Sequence, residues 1–187
     1  MNRSARLRLW MVAIGMAAGA HVLAQQQTAT GQAAAQMHGG CGNYATNLSS
    51  EMRLMAGEAV KVRAGTDAEN APMEATGRAM EVHLRPQTEV HLAAAPAQDR
   101  GGAERKAGLV QLGKLDAGEW RVSLDRFAWV DLVSRGQLLA SGAFEMQTEC
   151  PTIFKTVVFE VPEAMPVVLE LTGASEEMVR VVVTRAK

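Results

Sequence analysis

Beyond Ala59, apolar and polar residues alternate with a period of two along most of the chain, the spacing of strands that bury one face. Val60 and Val62 are separated by Lys61, and Met80, Val82 and Leu84 by Glu81 and His83. Pro86 breaks the run, and Val90 and Leu92 resume it against Glu89 and His91. Residues 109–115 have the same character. Trp120, Val122 and Leu124 share one face, with Arg121, Ser123 and Asp125 on the other. Further strands are predicted over residues 129–133, 138–139, 153–161, 167–171 and 178–184. The run Val181, Val182, Val183 is continuous and β-branched, as in a central strand or one covered on both faces. Turn signals at residues 116–118, 134–136, 161–163 and 172–174 punctuate the strands. Residues 64–75 and 94–107 read as loops.

One helix is predicted over Ser49–Ala56. Ser49 or Ser50 would cap it, Glu51 lies in its first turn, and Leu48, Met52 and Met55 fall at helical spacing. Many short strands and one helix specify an all-β fold, an antiparallel β-sandwich or jelly roll with at most one short N-terminal helix, rather than βαβ units.

The first residues break this pattern. Arg3, Arg6 and Arg8 precede an apolar run over residues 9–20, and small residues follow at Val22 and Ala24. This is the layout of a signal peptide over residues 1–24, with Ala20 as the second cleavage option. The apolar run is shorter than the roughly 20 residues of a membrane span. Residues 25–40, low in complexity and uncharged, read as a flexible tether. Residues 41–187 then form a single β-sandwich domain.

Composition sharpens the class. The chain has 187 residues, 48% of them hydrophobic, enough for one sizeable core. Its formal net charge is -1, and loss of a segment with three arginines and no acid leaves the remainder mildly acidic. That excludes a nucleic-acid partner held by phosphate neutralisation. Export implies a periplasmic or secreted protein with no stable membrane insertion after cleavage. In an oxidising compartment the even pair Cys41 and Cys150 is expected to form a disulfide, since there is no Cys-x-x-Cys motif. Cys41 lies too far beyond the apolar run for lipidation.

Chemistry is sparse. His83, Glu89 and His91 place two imidazoles and a carboxylate within nine residues, a possible iron site of the two-His, one-carboxylate kind. Their parity is opposite that of Met80, Val82 and Leu84, which aims them at solvent. Met37, His38, Met52 and Met55 have the ligand types of a copper site, although Met-x-x-Met at helical spacing is also core filler. Ser141 lacks the first glycine of a nucleophile elbow, and Asp125 and Asp131 lack the spacing of a calcium loop. Trp120 shares the core parity of Val122. Trp129 is the candidate ligand-binding side chain, a carbohydrate platform. No catalytic set is predicted.

Several segments together resemble a group of small exported bacterial proteins of unsettled biochemistry. They are the Cys-Gly-Asn-Tyr opening at Cys41, Leu84-x-Pro86 with Val90, Ala-Gly-Glu-Trp-Arg-Val-Ser-Leu ending at Leu124, Trp-Val-Asp-Leu-Val from Trp129, and Cys-Pro-Thr-Ile-Phe-Lys from Cys150. The C-terminal half is similar, more loosely, to the pre-peptidase C-terminal domains of secreted enzymes. These resemblances imply a β-sandwich acting as a non-enzymatic binding or accessory module, with a protein or glycan partner in the cell envelope. Some members of the first group bear the name homogentisate dioxygenase, which implies instead a small metal-dependent oxygenase using His83, Glu89 and His91. A purely structural envelope protein is the third expectation.

Overall fold

The alternating segments pair into two sheets. The computed structural model describes Met37 and residues 39–186. The expected signal peptide, most of the expected tether and His38 lie outside the described residues.

The six-stranded sheet contains β1 (Ala59–Arg63), β2 (Ala79–His83), β5 (Gly118–Leu124), β8 (Ser141–Met146), β9 (Lys155–Val161) and β11 (Met178–Arg185). Their order is β1-β2-β11-β5-β9-β8. The five-stranded sheet contains β3 (Arg85–Pro86), β4 (Lys106–Leu115), β6 (Trp129–Ser134), β7 (Gln137–Leu138) and β10 (Met165–Ala174), in the order β3-β4-β10-β6-β7. Alternation sends one face of each sheet inward. Val122, Phe159 and Val181 from the first meet Val110, Leu132 and Leu169 from the second in one buried core. The fold is an all-β sandwich.

The three consecutive valines are explained by position. β11 runs between β2 and β5, so both its edges are paired. Val181 and Val183 face the sandwich core, while Val182 faces the opposite way into a second cluster with Leu48, Met55, Cys150 and Ile153. That second cluster is covered by α1 (Ser49–Ala56). Eight residues are too few for a stable isolated helix, which needs about 12–15. Burial of Leu48 and Met55, worth about 1.5–3 kcal/mol each, holds it in place. Its cap is neither Ser49 nor Ser50. The cap position is Leu48, which offers no side-chain hydrogen bond; Asn47 before it meets the first helical N–H instead, its Oδ1 accepting from the Ser49 backbone N–H at 3.0 Å and from the Ser49 hydroxyl at 2.6 Å. An Asn side chain reaches backbone two residues on, while Ser49 and Ser50 lie inside the helix.

Three further departures have local causes. β1 and β2 pair in parallel, which requires a crossover between them. That crossover is the stretch expected to be a loop. It bridges β4 at Gly65 to Leu109 and at Met73 to Gln111, supplying the partner that β3 is too short to provide. No strand forms at Val90–Leu92. Pro86 cannot continue a ladder as donor, and a 3₁₀ turn over Gln87–Glu89 redirects the chain across the outer face of the five-stranded sheet. β8 was not apparent from the pattern. Ser-Gly-Ala-Phe-Glu-Met has no alternation, it is an edge strand, and its register slips between Ser141 and Phe144.

Cys41 and Cys150 are disulfide-bonded, with Cα atoms 4.6 Å apart and a sequence separation of 109. Among the described residues no helix is long and apolar enough to cross a membrane. Both facts are compatible with a location outside the cytoplasm.

Candidate functional site

The sandwich is open along one side. β7 pairs only with Val133 and Ser134, so the first half of β6 is an edge at Trp129. β8 is the edge of the facing sheet. Between them lies a cleft of about 290 Å³, walled by Phe127, Trp129, Asp131, Phe144 and Lys155, with Arg100 at its rim. Phe144 is 60% exposed, unusual for a phenylalanine on a strand, and Phe127 packs edge-on against Phe154 with centroids 6.5 Å apart.

Trp129 is fixed by its neighbours. Its indole N–H donates to Asp131 Oδ2 at 2.8 Å. The Lys155 ammonium lies 4.7 Å from the ring centroid and the Arg100 guanidinium 5.8 Å, both within cation–π range. Lys155 begins β9 in register with Leu124 and Met146, which turns it toward the inside of the sandwich. It is only 7% exposed. Burial pushes its pKa down from 10.5 to about 8, with Asp131 acting to restore the charge and Arg100 to oppose it.

Two carboxyls stand behind the indole. Asp131 and Glu170 are cross-strand partners on the outer face of the five-stranded sheet. The segment after Val90 lies over them: Ala97 N–H donates to Asp131 at 3.2 Å, and Ala93 and Ala94 N–H groups donate to Glu170 Oε2 at 2.8 and 3.4 Å. Burial raises both pKa values, more than those amides and the indole lower them, and Glu170 reaches about 7. Glu170 Oε1 has no hydrogen-bond partner among the described residues.

This placement has a pH signature. A carboxyl whose pKa rises from 4.5 unfolded to about 7 folded favours folding fully below pH 4.5, and that contribution is lost as pH climbs through 7. At about 1.4 kcal/mol per pK unit, the loss is about 3 kcal/mol. Glu170→Gln keeps an acceptor for Ala93 but cannot ionise. Its stability relative to the parent chain should therefore rise between about pH 5 and about pH 8. Urea unfolding at the two pH values reads this directly, and parallel behaviour of the two proteins would contradict it.

A second, wider cavity of about 730 Å³ lies beside α1. Its base is the buried pair Arg121 and Glu51, 3.3 Å apart, with the Thr184 hydroxyl donating to Glu51 at 2.9 Å. Those charges neutralise each other and tie α1 to the sheet. The Trp129 cleft differs in holding an ammonium without an ion-pair partner among the described residues, so it is the stronger ligand site.

Of the residues singled out by sequence, Trp129 falls in this cleft and Trp120 in the core. His83 ends β2, exposed, with Glu81 at 3.3 Å, while Glu89 and His91 are exposed on the crossing segment. Among the described residues no three His, Cys, Asp or Glu side chains gather as a metal group. Met52 and Met55 pack with Leu48 and Ile153 under α1. Ser141 lines the cleft wall on β8. Lys155, Glu170 and Arg100 were missed. The available signal was a charge at an inward phase, Lys155 ahead of Val157 and Phe159. The chain matches no protein-family model, no curated protein and no solved structure.

Proposed function

We propose that the protein is an exported, non-enzymatic binding or accessory module of the bacterial envelope, and that the Trp129 cleft faces its ligand. One observation carries the reading: an aromatic ring locked by a hydrogen bond and two cations in a partly apolar cleft at an open sandwich edge. A preformed concave site with few, fixed polar groups loses little entropy on binding. The disulfide and the resemblance to small exported bacterial β-sandwich proteins support the export half of the reading. Expression of the full chain in a bacterium with fractionation tests it. Expected is a periplasmic or medium fraction with an N-terminus at Gln25 and no free thiol. Cytosolic retention, or purified protein with stoichiometric iron and ring-cleaving activity, would overturn it in favour of an oxygenase using His83, Glu89 and His91.

A further inference from the structure

Lys155 is a buried ammonium with no ion-pair partner among the described residues. Lysine is almost never buried unless paired, because an ammonium leaving water must recover its hydration from protein partners. This one is 7% exposed and makes one hydrogen bond, to the Ala128 carbonyl at 3.4 Å. That is longer than the roughly 2.7–3.2 Å of a good N–H···O bond. Among the described residues no carboxylate forms an ion pair with it. Asp131 is close enough to act on it electrostatically, but its carboxylate is turned to the Trp129 indole and the Ala97 amide.

The rest of the cleft says what would complete it. A second cation, Arg100, stands over the same ring at the rim. Against the one acid of the lining, Asp131, which already accepts from the Trp129 indole and the Ala97 amide, the two positive groups leave the cleft net positive and favour an anion. The remaining walls are largely apolar, with Phe127, Phe144, Met146 and Val157 among them. The volume, about 290 Å³, is at the lower end of ligand pockets, which run to roughly 300–1,000 Å³. There is room for one ring or a short chain.

Resting on the reading of the protein as a binding module, we infer that the Trp129 cleft receives a small amphipathic carboxylic acid. The carboxylate pairs with Lys155 at the floor, Arg100 closes over it at the rim, and the apolar body lies against Phe127 and Phe144. The pH behaviour follows from the surroundings of the ammonium. Asp131 on β6 and Arg100 on the crossing segment are the charges facing it, with Glu170 behind Asp131. The flanking strands present neutral Leu124 and Met146, and Asp125 and Arg126 in the preceding turn are paired to each other at 2.9 Å. With Lys155 held near 8 by burial, a bound anion restores its charge, so binding takes up a proton near that pH and weakens above it.

Calorimetry with benzoate and octanoate, against neutral benzamide and octanamide, tests this on the disulfide-bonded protein. The acids should bind at least about tenfold more tightly than their amides near pH 7, with the preference shrinking by up to about tenfold per unit above pH 8. Lys155→Gln should abolish the preference. Arg100→Gln, at an exposed position that leaves the core untouched, should weaken acid binding several-fold. Equal binding of acids and amides would overturn the anion assignment while leaving the cleft a binding site. Acid affinity that is the same near pH 7 and near pH 9.5, or retained in Lys155→Gln, would overturn it too. So would failure of all four probes to bind, and the module reading would then stand or fall on the cell fractionation described above.

Discussion

Replacing Cys41 and Cys150 together by serine should lower the unfolding free energy by about 4 kcal/mol. The bond closes a loop of 109 residues, and the chain-entropy account gives about 4.7 kcal/mol for a loop near that length, with native proteins commonly showing about 2–5. The contacts that would remain are individually modest. Tyr44 donates its hydroxyl to the Ile153 carbonyl at 2.6 Å, Glu145 accepts from the Ala45 and Thr46 backbone and the Thr46 hydroxyl, Gln147 donates to the Asn43 carbonyl at 3.1 Å, and the Thr148 and Glu149 N–H groups donate to the Met37 and Gly39 carbonyls at 3.0 and 3.2 Å. Each is worth about 0.5–1.5 kcal/mol net, and all must be made by a segment no longer tethered. Urea unfolding of the double variant and of reduced parent protein should agree. A loss below about 1 kcal/mol would mean that these hydrogen bonds alone hold the N-terminal segment.

Glu51→Ala should be comparably damaging, by about 3–5 kcal/mol, because it leaves Arg121 buried without its counter-ion. The two side chains are 6% and 7% exposed, and the Arg121 Nε already lacks a partner among the described residues. The same variant removes the acceptor of the Thr184 hydroxyl. Desolvation decides the sign of the companion experiment. Glu51→Leu combined with Arg121→Met removes both charges and should be neutral or stabilising, since their attraction offsets the loss of hydration only in part. Denaturant midpoints of the single and double variants check both. A double variant as weak as Glu51→Ala would show that the pair contributes through geometry that an apolar replacement cannot supply.

Period-two alternation made most of the sandwich legible, and continuous valines marked β11 as a central strand or one covered on both faces; it is paired on both edges and covered on both faces. The helix was legible over its full length because Leu48, Met52 and Met55 keep helical spacing above a buried patch. What alternation cannot register is coverage from elsewhere in the chain. Asp131 and Glu170 occupy the outward phase of their strands, the phase that normally meets water, and the segment after Val90 buries them there. Lys155 occupies an inward phase, where a charge contradicts the pattern. That contradiction was the clearest sequence trace of the cleft. β8 left none, because an exposed edge strand with a register slip has no reason to alternate.

The two described tryptophans permit a direct test of the claim that the protein is a binding module working through this cleft. Trp120 lies in the core, 8% exposed, its indole donating to the Asp116 carbonyl, while Trp129 lines the cleft. Proton–nitrogen NMR of the labelled protein, recorded as the small-molecule fraction of a bacterial periplasmic extract is added, reports each indole separately. The predicted result is a saturable shift of the Trp129 indole resonance, lost in Phe144→Asp, with Trp120 unmoved. A Trp129 resonance that stays in place while the protein remains folded would contradict the account.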